Sequence, residues 1–120
     1  MSREESREHK RLKEHLARKP ESLEEGLEFL EEEHFFVTGD RADLLFRDRY
    51  GRFVVVEVER EVGRDDLAGL LQAIKYKCML AVEKDVPFNE VRAFLVAYKI
   101  DPTVKKVCEK YQVATKEFKI

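Results

Sequence analysis

The chain has 120 residues, a net charge of −2, and 43% apolar against 40% charged residues, which bounds it to one domain with a modest core under a heavily charged surface. That charge balance excludes a global basic field for polyanions. No apolar run approaches the roughly 18 residues of a membrane span, so the expectation is a soluble, cytoplasmic protein without a membrane partner.

Charge is unevenly spread. Residues 1–33 carry 11 acids against 7 bases, and residues 99–119 carry 6 lysines against 3 acids, so a polyanion would meet local patches. Cys78 and Cys108 lie in no zinc spacing and are expected on buried helical stripes. His9, His15 and His34 are scattered and are expected at surfaces or helix ends.

In chain order, residues 1–20 read as a charged N-terminal helix with a thin apolar stripe of Leu12, Leu16 and Ala17, ending before Pro20. Its charges read as a solvated face without chemistry. Residues 21–120 form the remaining single domain. Ser22 and Glu25 make a capping-box pattern, and Leu23, Leu27 and Leu30 recur at helical spacing, predicting a second helix that ends at Glu31–Glu33. Phe35–Val37 begins a strand.

Ala42–Arg47 and Phe53–Glu59 are strand-like, and Asp48–Arg52 between them supplies turn residues with Gly51 at the left-handed position. If Asp48 pairs with Arg52, Asp43 falls opposite Glu57, and Glu59 shares their face. Leu44, Phe46, Val54, Val56 and Val58 then fill the other face. Opposed carboxylates are destabilising unless a cation joins them, and an oxygen-only set suits Mg²⁺ or Mn²⁺. The alternative is a solvated face in which Glu57 and Glu59 pair with Arg47, Arg49 or Arg60.

Residues 65–82 predict a helix with Leu67, Leu70, Leu71, Ile74, Cys78 and Ala81 on its buried stripe. Gln72 and Tyr76, four apart and flanked by Lys75 and Lys77, either reach over the carboxylate face or are ordinary boundary residues. Val91–Tyr98 is apolar enough for a strand covered on both faces. Asp101-Pro102 caps a helix with Val104, Val107, Cys108 and Tyr111 inward, and Val113–Ile120 adds a last short strand. The predicted order is α-α-β-β-β-α-β-α-β, an α/β sandwich.

That order, with Pro20–Leu27, Gly39, Arg41–Leu45, Asp48, Gly51, Val54–Arg60 and Gln72–Tyr76, resembles the PD-(D/E)xK superfamily. Within it the chain is most similar to the nuclease domain of NucS-type (EndoMS) endonucleases, over residues 8–120. The resemblance implies a restriction-endonuclease-like three-layer sandwich with a mixed sheet of about five strands. It implies a Mg²⁺- or Mn²⁺-dependent DNA endonuclease with Asp43 and Glu57 as metal ligands. Glu59 stands where the family usually has lysine, and would serve as a third carboxylate ligand or mark a site that has lost turnover. Gln72 and Tyr76 match residues that shape the active site. Arg47, Arg49, Arg52, Arg60 and Lys75 would contact DNA phosphates. Lys75 or Lys77 could also take the missing lysine's part. Glu24 matches an acid of the family's first helix. NucS-type enzymes carry a further DNA-binding and dimerising domain, so mismatch specificity is not implied. A stand-alone nuclease domain that forms a homodimer or borrows a partner is expected. The alternative is a catalytically degenerate module that binds nucleic acid or a protein.

Overall fold

The computed structural model describes residues 5–120. Helix α1 (Arg7–Arg18) and a 3₁₀ turn (Pro20–Ser22) lead into strands β1 (Glu28–Phe35), β2 (Arg41–Arg47), β3 (Phe53–Val58) and β4 (Glu61–Val62). Then follow α2 (Ala68–Lys84), a 3₁₀ turn (Phe88–Glu90), β5 (Arg92–Ala97), β6 (Lys99–Ile100), α3 (Pro102–Lys110) and β7 (Ala114–Glu117).

The main sheet has five strands in the order β1-β2-β3-β5-β7. Its first three strands are antiparallel, and β3, β5 and β7 run parallel. Strands β4 and β6 form a small parallel ribbon beside it. Leu12 and Leu16 of α1 pack on one face against Leu44, Phe46, Val54, Val56 and Val58. On the other face Leu70, Ala73 and Leu80 of α2, with Val104 and Cys108 of α3, pack on Leu45, Val55 and Leu95. The result is the expected α/β sandwich of three layers, and β5 is covered on both faces as its apolar run requires.

Helix α1 is bound more tightly than its sparse stripe suggested: Leu12 and Leu16 are both 0% exposed. Two leucines four apart suffice because they enter the groove over the hairpin together.

The helix predicted from Ser22 does not form. Ser22 ends a 3₁₀ turn, and residues 28–35 become the edge strand β1, with a bulge at Leu30 between the Phe29–Phe46 and Glu31–Leu45 pairs. Leu23 and Leu27 still reach the core, from the turn and the loop. Gly26 breaks any helix there at φ 85°, and a Cβ on it would lie 3.0 Å from Arg49 Cβ. The acids of the 31–33 run then line an outer strand, where charge discourages further pairing.

Helix α2 is rotated from the predicted stripe. Gly69, Leu70, Ala73, Tyr76, Lys77, Leu80 and Ala81 face inward, whereas Leu71 and Cys78 are exposed. Apolar residues ring this helix, so periodicity cannot choose a face; the small Gly69 and Ala73 do, by letting the helix sit close to the sheet. Cys108 is buried as expected, whereas Tyr111 is exposed. Among the described residues no helix is long and apolar enough to cross a membrane.

Candidate functional site

The β2–β3 register sets the site. Leu44 faces Val56 and Arg47 faces Phe53, and Asp48 N–H donates to Arg52 O at 2.8 Å, which continues the ladder as expected. One step the other way puts Asp43 across from Glu57. Asp43 is oriented by Val58 N–H, which donates to its Oδ2 at 2.8 Å. The Glu57 carboxyl lies near enough for the two acids to perturb one another.

Glu57 is only 6% exposed, and its Oε1 has no hydrogen-bond partner. Burial, then the charge of Asp43 beside it, pushes the Glu57 carboxyl up to about 10. Burial also opposes the charge on Asp43. There His9, Glu57 and the Val58 N–H outweigh it and hold the carboxyl below its ordinary range. Glu59 is raised by burial and then by Asp43. The expected convergence of three carboxylates is a pair with a neighbour: among the described residues no three His, Cys, Asp or Glu side chains gather as a ready-made ligand set. Strand β3 ends at Val58, and Glu59 N–H closes the parallel ladder on Val96 O at 2.9 Å.

Tyr76 of α2 faces inward, close enough to Glu57 to feel its charge. Its hydroxyl is raised by burial and then by the charge of Glu57, and its ring stacks on Phe36 with centroids 5.5 Å apart. Gly69, seven residues earlier, lies against Glu59: a Cβ there would be 3.3 Å from Glu59 Cγ. Gln72 sits on the helix between these contacts and is solvent-exposed.

Two groups that the sequence did not single out come from α1. His9 Nε2 is 3.6 Å from Asp43 Oδ2, and its Nδ1 is hydrogen-bonded to Glu5. Asp43, against the opposing effect of burial, pushes the His9 imidazole up to about 9. Lys13 is 2% exposed, with its Nζ 3.1 Å from Glu5 Oε2 and 3.4 Å from Glu33 Oε1. Burial works against its charge, but Glu5 and Asp43 hold the ammonium above its ordinary value. The signal was the 5-9-13 spacing, His9 and Lys13 on one face of α1 with Glu5 just ahead of the Ser6 cap, which had no meaning until α1 was placed over the hairpin.

The residues present fit a hard divalent ion. Two facing carboxylates, one carrying a buried oxygen without a partner, are what an ion such as Mg²⁺ takes while keeping several waters.

The family profile of the "Endonuclease NucS C-terminal domain" matches residues 8–119. This chain belongs to that family. Among curated proteins none matches it. Its fold is similar to that of EndoMS in a structure described as an EndoMS–dsDNA complex, at 25% identity and a TM-score of 0.80, covering 99% of this chain and 47% of that one. A repair endonuclease from Pyrococcus abyssi gives 25% and 0.78 over 99% of this chain and 49% of its own. EndoMS in apo form gives 28% and 0.76 over 98% and 49%. The chain thus spans about half the length of the structures it matches.

The cations named for DNA contact in this NucS-family chain are dispersed. Arg60 follows Glu59 directly, at the acidic end of the hairpin, and among the described residues no ion pair holds it. Arg47, Arg49 and Arg52 lie towards the other end, roughly 13–17 Å along the strands at about 3.4 Å per residue. Arg47 Nη2 is 2.9 Å from Glu28 Oε1, and Arg52 Nε is 3.0 Å from Asp48 Oδ2. Lys75 Nζ is 2.7 Å from Asp40 Oδ1. Lys77 packs over the Phe88 ring at 4.4 Å, and burial lowers its pKa. Glu24 is not at the acids: it receives both Arg92 Nη atoms, at 2.6 and 2.7 Å, and Arg92 also reaches Asp48 at 3.3 Å.

Proposed function

We propose that this chain is the nuclease part of a metal-dependent DNA endonuclease of the PD-(D/E)xK type, hydrolysing phosphodiesters with Mg²⁺ or Mn²⁺ held by Asp43 and Glu57. The observation that carries the reading is the facing pair, with Glu57 buried and one of its oxygens unpartnered. Family membership supports it, as do relatives described as a repair endonuclease and as a complex with dsDNA.

When bound, the ion would polarise the phosphate and make water more acidic. The chain's own residues prepare the rest. Val58 N–H fixes Asp43, so its free oxygen is presented without rotamer loss. Tyr76 sets a neutral phenol within range of the Glu57 charge, its ring stacked on Phe36. Gln72 offers an exposed amide one turn away, and Arg60 a cation for the phosphate backbone. Glu59, in place of the usual lysine, carries no positive charge, and His9 and Lys13 are cations set towards Asp43 instead.

A second reading, a non-catalytic DNA-binding relative, draws on the lysine's absence and on Asp40 tying up Lys75. Cleavage of plasmid and branched DNA with Mn²⁺ or Mg²⁺ separates the two. The wild-type chain should cut, and Asp43→Ala should lower the rate on the order of a hundredfold or more while the fold survives. DNA binding without cleavage of any form would favour the second reading.

A further inference from the structure

Lys13 of α1 is a charge in the wrong place for a core: its side chain is 2% exposed. Three carboxylates surround the ammonium, Glu5 Oε2 at 3.1 Å, Glu33 Oε1 at 3.4 Å and Glu32 Oε1 at 3.7 Å. Two of them lead to the acid pair. Glu5 also holds His9 Nδ1, and His9 Nε2 stands 3.6 Å from Asp43 Oδ2. Glu32 pairs with Leu44 and His34 with Ala42, so Glu33 lies across the ladder from Asp43. Glu33 keeps a left-handed φ of 56° inside β1, a conformation that side chains rarely adopt. From there its carboxylate meets Lys13, and Arg41 at 3.7 Å. Against the cost of burial, Glu5 and then Asp43 hold the Lys13 charge. Loss of Lys13 would leave carboxylates uncompensated beside a site that must admit phosphate.

Resting on the reading of Asp43 and Glu57 as metal ligands and of DNA as substrate, we infer that Lys13 is a positioning residue that supplies from α1 the fixed positive charge this site lacks at Glu59. Through Glu5 and Glu33 it seats His9 and β1 against Asp43, and it offsets the acids that would repel a phosphodiester. A fixed cation here acts in opposite senses on two ligands. It weakens the hold of the acid pair on a divalent ion and strengthens the hold on an anion. A clamp without electrostatic duty would move both the same way.

The test compares the wild-type chain with Lys13→Met, Lys13→Arg and Asp43→Ala. Titration calorimetry with MnCl₂ reads ion affinity, and fluorescence anisotropy of a labelled DNA duplex in chelator reads phosphate affinity. Amide hydrogen exchange across Arg7–Arg18 follows the seating of α1. Methionine fills the buried space with a flexible apolar chain and drops the charge. Lys13→Met should tighten Mn²⁺ binding about 3–10-fold and weaken duplex binding about 3–10-fold, with α1 still protected. Lys13→Arg, which keeps the charge, should restore both to within about threefold of wild type. A Lys13→Met chain that lowers both affinities, changes neither or loses the protection of α1 shows a clamp alone and overturns this inference; loss of Mn²⁺ binding in Asp43→Ala then leaves the acid pair standing. Wild-type protein that binds no Mn²⁺ overturns both.

Discussion

At the scale of single residues, Glu57 decides the behaviour of the acid pair. Its proton is held to about 10 when folded against an ordinary 4.5, so the stability it lends is complete below the ordinary glutamate range and drains as pH climbs towards 10. His9, held at about 9 against 6.5, drains in the same direction across its own window. Metal-free melting temperature should therefore fall from pH 5 to pH 9. Glu57→Gln, which cannot ionise, should flatten that fall and raise stability at pH 8 by on the order of 1 kcal/mol. Equal slopes for variant and wild type in chelator would refute this account. The pairing of Asp43 with Glu57 was legible because one turn with a clear glycine sets the register of every residue beyond it. His9 was not legible, since its partner lies on a strand whose position relative to α1 no local pattern encodes.

At the scale of elements, Gly69 governs how α2 meets the hairpin. A Cβ there would come 2.7 Å from Leu95 Cδ1, and Leu95 is fully buried. Gly69→Ala gains about 1 kcal/mol in helix propensity but overpacks a core at a cost of about 1–3 kcal/mol. The net loss expected by denaturant melts is about 1 kcal/mol, with weaker Mn²⁺ binding as α2 lifts away from Glu59. A stabilised variant would show that α2 is not seated on the sheet through this residue. The same glycine explains why the helix was found but its buried face was not. Residues 65–84 are apolar on most sides, and closeness to the sheet depends on what is missing from a side chain. Residues 22–33 failed for a related reason. Leu23, Leu27 and Leu30 have helical spacing, but Gly26 at φ 85° cannot sit in a helix, and the acids after it tolerate an outer strand as well as a helix end. The central strands and α3 were legible because long apolar runs and the Asp101 cap, which accepts Thr103 N–H at 2.9 Å, are local signals.

At the scale of the whole molecule, a net charge of −2 gives DNA no general attraction, so the proposed binding has to come from placed cations and the proposed metal. Arg60 is the named arginine nearest the acids. Arg60→Ala should weaken DNA binding and reduce the slope of log affinity against log salt by about 0.9, as measured by fluorescence anisotropy across a salt series. An unchanged slope would remove it from the interface. The two ends of the hairpin also have different duties. Asp48 accepts Tyr50 N–H and Arg52 N–H at 2.9 Å each and meets Arg52 and Arg92 side chains, with Glu24 completing the clamp. Asp48→Ala should cost about 2–4 kcal/mol in denaturant unfolding yet leave Mn²⁺ affinity unchanged in the folded protein. Because rivet and reagent sit at opposite tips of one ribbon, each can be rebuilt alone. Hardening the arginine tip would give a tougher scaffold on which the acidic tip could be varied freely.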